Sequence, residues 1–486
     1  MTGAPPRGVA RRSVLRGALA GGAALATGGL LGACGVRQDA PRIATDDRWR
    51  QFAGATINLI SENTAPTAAI AANLRPFTDL TGINVNIVTL ELSALVQKVA
   101  LDLAGGESQY HVIYADPYQV LAPYSKGLVD LRELATQPGL PEFTGWDDFI
   151  PTQLDAAGRF GDRDKIFAVP YDCPTMIWQY RADLFDKYGA RMADDLGFDP
   201  TPGLDRTWDE YLRIARWFND NADEVAYGTG HQAKQHDSLM CDFSNVLWSY
   251  GGDYFDNGTE VGLYGTTDPG PCRLGSDQAI AAAEFYQRLL SIADPSSKTW
   301  DWNGLAPALS SGRIAMCVNW HEYAAANEKA MPGRFGYAPL PRGPVRSANH
   351  YGGCGIGING NTQPNERMAA WLFVLWATST QTQLANLKSE AGGGTPTRQS
   401  VYDLPEVRAA EHRPSAMPNI LAAPAVVTAW QPENIGLRPK IPMWNECDTA
   451  VYTQLSKMLA GDSSPADTMR GAATKIDRIT ARGWAA

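Results

Sequence analysis

Carboxylate, amide and aromatic side chains follow directly after several apolar runs that have the length of β-strands. Glu62 and Asn63 follow one such run. Asp116 and Tyr118 follow a second run, and Trp320 ends a third. Carboxylates and amides bind paired hydroxyls, and aromatic rings cover weakly apolar C–H faces. Carboxylates also act as acid and base in glycoside hydrolysis, which needs two of them about 5–9.5 Å apart. Both kinds of chemistry stay open at this point.

The runs before these residues are predicted to form a parallel sheet that is covered by helices. Residues 56–60 and 111–115 are apolar and of strand length, and Ile83, Val85 and Ile87 alternate like a strand. Stretches with helical periodicity separate them, so the order is β-α-β-α-β. Such sheets bind ligands beyond the carboxyl ends of their strands, where the candidate residues lie.

Further signals for helices and strands continue to the end of the chain. A capping box at residues 207–210 starts one helix, and Ser276 starts another. Tryptophans on predicted helix faces are interpreted as core, namely Trp208, Trp371 and Trp376. Four more elements are predicted, namely strands over 313–319 and 352–358, one long helix over 366–385 and a last helix over 448–459.

Two patterns imitate functional motifs without completing them. Gly355, Gly357 and Gly360 have the spacing of a dinucleotide fingerprint, but no helix follows at once. His321 begins an H-E-x-x-H pattern in which Ala325 replaces the second histidine. We therefore predict neither a cofactor nor a bound metal.

Composition and charge exclude two broad classes of protein. The chain has 486 residues, of which 44% are hydrophobic, so it is not a disordered chain. Its formal net charge is −10, with 52 acidic residues against 42 basic ones. A nucleic-acid binder would lean basic, so we expect no nucleic-acid partner.

Residues 1–33 are predicted to be a secretory signal peptide. They contain four arginines and no acidic residue, and an apolar run rich in glycine and alanine begins at residue 17. The sequence RRSVL at residues 11–15 resembles a twin-arginine export signal, although that pattern favours phenylalanine where Val14 stands. The route of export therefore stays open.

The apolar run ends in LGAC at residues 31–34, which resembles a bacterial lipobox. This resemblance implies that Cys34 is lipidated and becomes the mature N-terminus. Residues 34–52 are polar and are interpreted as a tether. Elsewhere no apolar run reaches 18 residues, so we expect a protein that is anchored to the cell membrane without spanning it.

Six further cysteines follow Cys34, and none is spaced as C-x-x-C. Outside the cytoplasm an even number allows disulfides, and six cysteines permit 15 pairings, among which the sequence does not choose. A bridge between Cys241 and Cys272 is one candidate.

Six segments resemble, in order, motifs of the extracellular solute-binding proteins of ABC importers. They are most similar to the carbohydrate-binding branch that includes maltose-binding protein, and the resemblance covers about residues 54–480. Each motif is short, and their common order behind a lipobox carries the resemblance. The segments are FTDLTGINV at 77–85, VPYD at 169–172, QYRADLF at 179–185, GRIAM at 312–316, GGCGI at 352–356 and TPTR at 395–398.

The resemblance implies an α/β protein with the two-lobed fold of type II periplasmic-binding proteins. Each lobe would be a mostly parallel sheet flanked by helices, with the ligand in the cleft between the lobes. The implied lobes are residues 53–168 plus 350–395, and residues 169–349 plus 396–486. The implied crossings between them lie near residues 169–180, 350–358 and 395–400.

The resemblance also adds site residues. Asp172 matches a polar site position of the family, and Arg398 lies at the implied third crossing. Trp444 and Glu446, just before the predicted last helix, match an aromatic site segment. Three more residues complete the candidate set, namely Asp237, His321 and Gly353.

Together these observations predict a lipid-anchored binding protein that captures a sugar, oligosaccharide or polyol and delivers it to an ABC permease. We expect a monomer that does no chemistry on its ligand. The alternative is a secreted glycoside hydrolase or lyase, in which Asp116, Asp172 and Glu446 supply the paired carboxylates. A binding protein for peptides or metals would need a charged or histidine-rich cleft, which these candidates do not provide.

Overall fold

The computed structural model describes residues 46–143, 145–391, 393–409 and 418–483. The predicted signal peptide, Cys34 and residues 35–45 of the predicted tether lie outside these ranges. Within them the chain forms a five-stranded sheet and a four-stranded sheet, both flanked by helices. No helix among the described residues is long and apolar enough to cross a membrane.

The strands are short, and most are buried. They are β1 (Thr56–Glu62), β2 (Asn84–Leu90), β3 (Val112–Ala115), β4 (Ala168–Asp172), β5 (Met176–Arg181), β6 (Tyr227–Gly230), β7 (Ile314–Trp320), β8 (Phe335–Ala338), β9 (Asn349–His350), β10 (Cys354–Ile358) and β11 (Ile435–Gly436).

The helices surround the two sheets. Those up to residue 221 are α1 (Ala65–Ala72), α2 (Arg75–Thr81), α3 (Leu92–Ala104), α4 (Ala122–Tyr124), α5 (Leu131–Ala135), α6 (Pro151–Gly158), α7 (Ala182–Leu196) and α8 (Trp208–Asn221). The later ones are α9 (Asp237–Ser249), α10 (Gly258–Tyr264), α11 (Asp277–Ile292), α12 (Trp302–Ser310), α13 (Ala324–Ala330), α14 (Pro364–Ala377), α15 (Thr380–Leu387), α16 (Gln399–Tyr402), α17 (Pro405–Ala409), α18 (Ala423–Ala429), α19 (Trp444–Ala460) and α20 (Pro465–Thr480).

The first sheet has the strand order β2-β1-β3-β10-β4. β1 pairs in parallel with β2 and with β3, as the β-α-β-α-β pattern predicts. β10 arrives from far along the chain and pairs antiparallel with both β3 and β4. Four of the five strands therefore run in one direction, and their carboxyl ends meet at one edge of the sheet.

The second sheet has the order β6-β7-β5-β8. β6 pairs in parallel with β7, whereas β5 runs antiparallel to both β7 and β8. Each sheet thus contains one reversed strand. The two main hydrophobic clusters follow this division, one around each sheet. Trp371 and Trp376 are buried in the first cluster and Trp208 in the second, which confirms them as core residues.

The chain passes between the two sheets at neighbouring places. β4 belongs to the first sheet and β5 to the second, so the first crossing follows Asp172, four residues after the predicted boundary. A second crossing leads into β10, and the two crossings touch through a bridge between Thr175 and Tyr351. The amide N–H of Gly352 also donates to the carbonyl of Pro174, at 2.8 Å. These contacts hold the two crossings side by side.

Two helix predictions differ from the structure. The predicted single helix over 366–385 is two helices, because Ser379 caps the second one by accepting a hydrogen bond from the backbone N–H of Thr382. The predicted last helix begins one turn earlier, at Trp444, and α20 follows it. The earlier start of α19 changes the surroundings of Trp444, as described below.

The described cysteines after Cys34 are all free, so the candidate bridge between Cys241 and Cys272 is wrong. Cys241 is buried in α9, where its sulfur lies 3.8 Å from a carboxylate oxygen of Asp237. The backbone of Cys272 instead forms an isolated antiparallel β-bridge with Phe255. These two thiols therefore belong to different local environments.

Candidate functional site

A cavity of about 380 Å³ lies between the strand ends of the two sheets. Its first wall is built from residues at the carboxyl ends of β1, β3 and β4, and its second wall includes the end of β7. Side chains from α9 and α12 complete it. The polar and aromatic lining residues are Glu62, Asn63, Thr64, Glu91, Tyr114, Asp116, Asp172, Asp237, Trp302, Asn303, Trp320, Glu322, Tyr323 and Arg438.

Glu62 is the last residue of β1 and faces this cavity. The hydroxyl of Tyr114 donates a hydrogen bond to its Oε2 at 3.0 Å. Burial raises the pKa of Glu62 to about 7, although this hydrogen bond opposes the shift. Asn63 lies beside it and is exposed. Burial and the hydroxyl of Tyr114 therefore act on the pKa of this carboxyl in opposite directions.

Asp116 follows β3 and serves two purposes. Its Oδ1 accepts the backbone N–H groups of Tyr118 and Gln119, at 2.9 and 2.8 Å, so it forms the turn that the Asp-Pro sequence suggests. Its other oxygen lies 3.9 Å from the guanidinium of Arg438. Burial raises the pKa of Asp116, and the positive charge of Arg438 opposes this.

Arg438 joins the two carboxylates at the base of the cleft. Its guanidinium lies 3.6 Å from Asp237 as well as 3.9 Å from Asp116, and it stacks 4.1 Å above the ring of Tyr118. The side chain is only 4% exposed. Burial alone would lower the pKa of Arg438, but the neighbouring groups, Cys241 and the two aspartates among them, raise it. The guanidinium is therefore held as a fixed positive charge.

Asp172 and Glu322 approach the cavity from the two sheets. Asp172 ends β4 and accepts the backbone N–H of Thr395 at 2.6 Å. Burial raises the pKa of Asp172 to about 7. Glu322 follows β7, and burial, together with the charges of Asp172 and Glu62, raises its pKa well above the usual range. Three carboxylates therefore compete for protons at one place.

Aromatic rings form much of the second wall. Trp320 ends β7, is 7% exposed and packs edge-on against His350, with 5.6 Å between ring centroids. Gly352 leaves room for it, because a Cβ there would lie 2.5 Å from Cζ3 of Trp320. Trp302 and Tyr323 are partly buried beside it. Flat apolar surfaces thus lie opposite the carboxylates of the first wall.

A second cavity of about 370 Å³ continues from the first toward the surface. The two share Glu62, Glu91, Asp237 and Trp302. Asp448 lines the outer cavity, and burial raises its pKa well above the usual range, an effect that Asp237 strengthens. The cleft therefore has an inner chamber and an acidic mouth.

The structure brings half of the predicted site residues together at the inner cavity, namely Glu62, Asn63, Asp116, Asp172, Asp237 and Trp320. Two further residues lie directly behind its lining. Tyr118 is buried beneath Arg438. His321 accepts the backbone N–H of Thr175 at 3.1 Å and contacts the hydroxyl of Thr395 at 2.8 Å, and burial lowers its pKa to about 4. Both residues support the site without lining it.

Four predicted site residues lie outside the cavity, and two of them, Gly353 and Arg398, make structural contacts in connecting segments. Gly353 permits close packing, because a Cβ there would lie 2.2 Å from the hydroxyl oxygen of Tyr351. Arg398 donates to the carbonyls of Thr378 and Gly145 and lies 3.3 Å from Asp148. Its guanidinium therefore ties the segment after α15 to neighbouring loops.

Trp444 and Glu446 are the other two. Because α19 begins at Trp444, this side chain points into the second core, where it is 1% exposed and packs edge-on against Tyr254. Glu446 lies on the opposite, solvent-facing side of α19 and pairs with Arg482. Neither one lines the cavity, so we do not carry them into the site.

Sequence reasoning missed several lining residues. Arg438 sits among prolines and apolar residues between β11 and α19, and nothing in that local pattern points to a cleft. Glu322 and Tyr323 directly follow Trp320, so their position at a strand end was an available signal. Trp302 is the first residue of α12, and this position at the start of a helix could have suggested it as a site residue.

The described side chains offer no arrangement of three or more His, Cys, Asp and Glu residues that could hold a metal ion. The carboxylates of the cleft instead line a chamber large enough for a small organic molecule.

Comparison with known proteins matches residues 60–384 to the family of bacterial extracellular solute-binding proteins. The chain is 25% identical to the "Probable amino-acid ABC transporter periplasmic-binding protein y4oP" of Sinorhizobium fredii, over 76% of this chain and 78% of that protein. It is also 25% identical to the erythritol/L-threitol-binding protein of Mycolicibacterium smegmatis, over 82% and 83%. Among solved structures, maltose-bound MalE3 of T. maritima has a TM-score of 0.70 at 23% identity, covering 87% of this chain and 100% of that one.

The fold is that of the type II periplasmic-binding proteins, with a cleft between two α/β lobes. The family match covers more than half of the chain, so the protein belongs to the bacterial extracellular solute-binding proteins. It is a transport binding protein and not an enzyme, which overturns the alternative of a glycoside hydrolase or lyase. The family is extracellular, so the protein acts outside the cytoplasm.

Proposed function

We propose that the protein captures a sugar, oligosaccharide or polyol in the interlobe cleft and delivers it to the permease of an ABC importer. The observation that carries this proposal is the inner cavity, where several carboxylates line the same chamber as Trp302 and Trp320. The relative from Mycolicibacterium smegmatis is named for erythritol and L-threitol, which supports a polyhydroxylated ligand.

The proposed roles follow from the chemistry of the two walls. Glu62, Asp116 and Asp172 present oxygen acceptors, and ligand hydroxyls donate to them. Asp237 extends this acidic edge toward the mouth. Trp320 offers a flat surface for the C–H face of a sugar ring or an extended polyol chain.

The dimensions of the cleft suit a small ligand. The inner cavity, at about 380 Å³, falls near the lower end of the usual range for small-molecule sites, about 300–1,000 Å³. A single sugar or a polyol fits such a volume. The outer cavity continues from it, which leaves room for a longer ligand.

We further propose that Cys34 carries a lipid that anchors the mature protein to the outer face of the cell membrane, where it meets the permease as a monomer. The lipobox-like sequence and the signal-like residues before it support this. The intact mass of the membrane-extracted protein tests the anchor. Cys34→Ala is expected to lose the acyl mass and to leave the membrane, and an unmodified Cys34 would contradict the proposal.

A thermal-shift screen over monosaccharides, oligosaccharides and polyols tests the ligand class, because a ligand of the native state raises the melting temperature. Calorimetry on Trp320→Ala and Trp302→Ala then tests the site. We expect each variant to bind the best ligand of the screen about fivefold or more weakly, since each removes an aromatic wall. Trp302 is only partly buried, so Trp302→Ala still tests the site if Trp320→Ala fails to fold.

Trp146→Ala is the matched control, because Trp146 is partly exposed and packs against Phe143 outside the cleft. It should bind with unchanged affinity. Equal affinity in the parent, the control and both cleft variants would contradict the proposed site. If no polyhydroxylated compound raises the melting temperature, the proposed ligand class is wrong.

A further inference from the structure

The charges that line the inner cavity do not balance within the described part of the chain. Six carboxylate residues line this cavity, namely Glu62, Glu91, Asp116, Asp172, Asp237 and Glu322. Arg438 is the one basic side chain among the described lining residues, and it already lies 3.9 Å from Asp116 and 3.6 Å from Asp237. Two carboxylates therefore share one guanidinium, and the other four have no positive charge of their own.

Of these four, Glu91 is exposed to solvent, which leaves Glu62, Asp172 and Glu322 inside the chamber. Glu62 accepts a hydrogen bond from the hydroxyl of Tyr114, and Asp172 accepts one from the backbone N–H of Thr395. Both donors are neutral groups. In the described residues, no basic side chain lies within 4.0 Å of any of the three, and Glu322 accepts no hydrogen bond.

A second observation comes from the other side of the chamber. Arg438 is 4% exposed, and its Nε–H finds no acceptor within the described structure. A buried guanidinium N–H without an acceptor is costly, so the site is incomplete without a group that accepts from it. A hydroxyl oxygen of a bound molecule would supply such an acceptor.

A neutral polyol completes only part of this site. Its hydroxyls can donate to the carboxylates and accept from Arg438, but it supplies no positive charge that would allow Glu62, Asp172 and Glu322 to ionise together. A protonated amine supplies hydrogen-bond donors and the missing charge together, and charge-assisted hydrogen bonds are the stronger ones. Trp302 and Trp320 line the same chamber, and aromatic faces attract ammonium groups as well as C–H groups.

We propose that the ligand of this cleft carries a protonated amine beside its hydroxyls, as an amino sugar or an amino polyol does. The ammonium group lies among Glu62, Asp172 and Glu322, and hydroxyls face Arg438. This inference rests on the proposed function, because it names the member of the polyhydroxylated class that the cleft prefers.

Three probes that share one carbon skeleton test directly which ligand charge the cleft prefers. They are D-glucitol, which is neutral, 1-amino-1-deoxy-D-glucitol, which is cationic at neutral pH, and D-gluconate, which is anionic. Glucose and glucosamine form a second pair for a ligand that must be cyclic. Calorimetry is expected to give an affinity for the amine about tenfold or more above that for its neutral counterpart, and no binding of gluconate.

Glu322→Gln tests where the amine lies, since it keeps the shape of the side chain and prevents it from ionising beside the ammonium group. We expect the ratio of amine affinity to neutral affinity to fall about tenfold. A purely structural effect would weaken both probes alike and leave the ratio unchanged. Glu284→Gln, on the exposed side of α11, is the control for long-range attraction and should keep the ratio of the parent protein.

The outcomes separate this inference from the function on which it rests. If the neutral probes bind as tightly as the amines, or gluconate binds best, the inference is wrong while the proposed function stands. If an amino acid or a divalent cation binds and no polyhydroxylated probe does, the proposed function fails and the inference with it. An unchanged ratio in Glu322→Gln also overturns the inference.

Discussion

At the scale of single residues, Arg438 does more for the cleft than its position in the sequence suggests. Its guanidinium contacts Asp116 and Asp237 and covers the ring of Tyr118. The two aspartates come from different parts of the chain, one after β3 and one at the start of α9. A single buried cation therefore holds the strand end of one wall against the helix end of the other.

Replacing Arg438 by methionine is expected to lower the free energy of unfolding by about 3–5 kcal/mol. Methionine keeps much of the side-chain volume, but it leaves two buried carboxylates without their cation, and that is the costly step. Urea denaturation measures the difference.

Arg482→Met is the control for this change. Arg482 also pairs with one carboxylate, that of Glu446, but both side chains are exposed, and such pairs contribute about 0–1 kcal/mol. Similar small losses in both variants would show that Arg438 does not stabilise the buried carboxylates.

At the scale of elements, the site depends on strand ends and on the crossings that run past them. β1, β3 and β4 deliver Glu62, Tyr114 and Asp172 to one edge of the first sheet, because these strands run in the same direction. β7 delivers Trp320 from the second sheet. The crossing that carries Gly352 lies directly beneath that ring, so the backbone of one element sets the position of a side chain from another.

Gly352→Ala is expected to displace the ring of Trp320, since the added Cβ would lie 2.5 Å from Cζ3. Overpacking of this kind costs about 1–3 kcal/mol, and we expect the best ligand of the screen to bind about fivefold to a hundredfold more weakly. Calorimetry checks this.

Gly189→Ala, in α7, provides the comparison. A Cβ at Gly189 meets no atom within 4 Å, and alanine suits a helix better than glycine does. This variant should bind normally. Normal binding by Gly352→Ala as well would show that Trp320 is free to move aside.

At the scale of the whole molecule, the buried carboxylates that line the cleft for binding lower the stability of the folded protein. The two lobes each have their own hydrophobic core, yet the surface where they meet carries buried carboxylates with raised pKa values. A group whose pKa is raised on folding opposes folding when it is ionised. The protein without ligand should therefore lose stability at the cleft as these groups ionise.

Glu62→Gln measures this effect. The pKa of Glu62 rises from 4.5 to about 7 on folding, so between these values the folded state binds more protons than the unfolded state. The stabilising effect of the substitution should therefore grow as pH rises from about 4.5 to about 7 and stay constant above that. Denaturation of parent and variant at a series of pH values gives the difference. The titratable groups that act on Glu62 are Tyr114, Glu91, Asp116 and Asp237.

Glu284→Gln, at an exposed position of α11, is the control for the substitution itself. If the difference for Glu62→Gln does not grow with pH, the Glu62 carboxyl is not buried in the folded protein. Taking the difference between two proteins removes the pH dependence of all other groups that behave alike in both.

The sequence by itself determined the elements and much of the first wall. Alternating and helical patterns identify β1, β2 and β3, and parallel strands of this kind must present their following residues at one edge. Glu62 and Asp116 could be predicted for that reason. The order of six short motifs also predicted the family, which the comparison confirms.

Only the tertiary structure decided which distant residues join this edge. Arg438 arrives from a segment without periodicity, and no local rule relates it to Asp116, more than 300 residues earlier. Trp444 shows the reverse case. Its sequence context resembled an aromatic site segment, but Trp444 is the first residue of α19 and packs into the core against Tyr254. Local patterns specify elements, whereas the balance of charge in the cleft depends on contacts that only the folded chain creates.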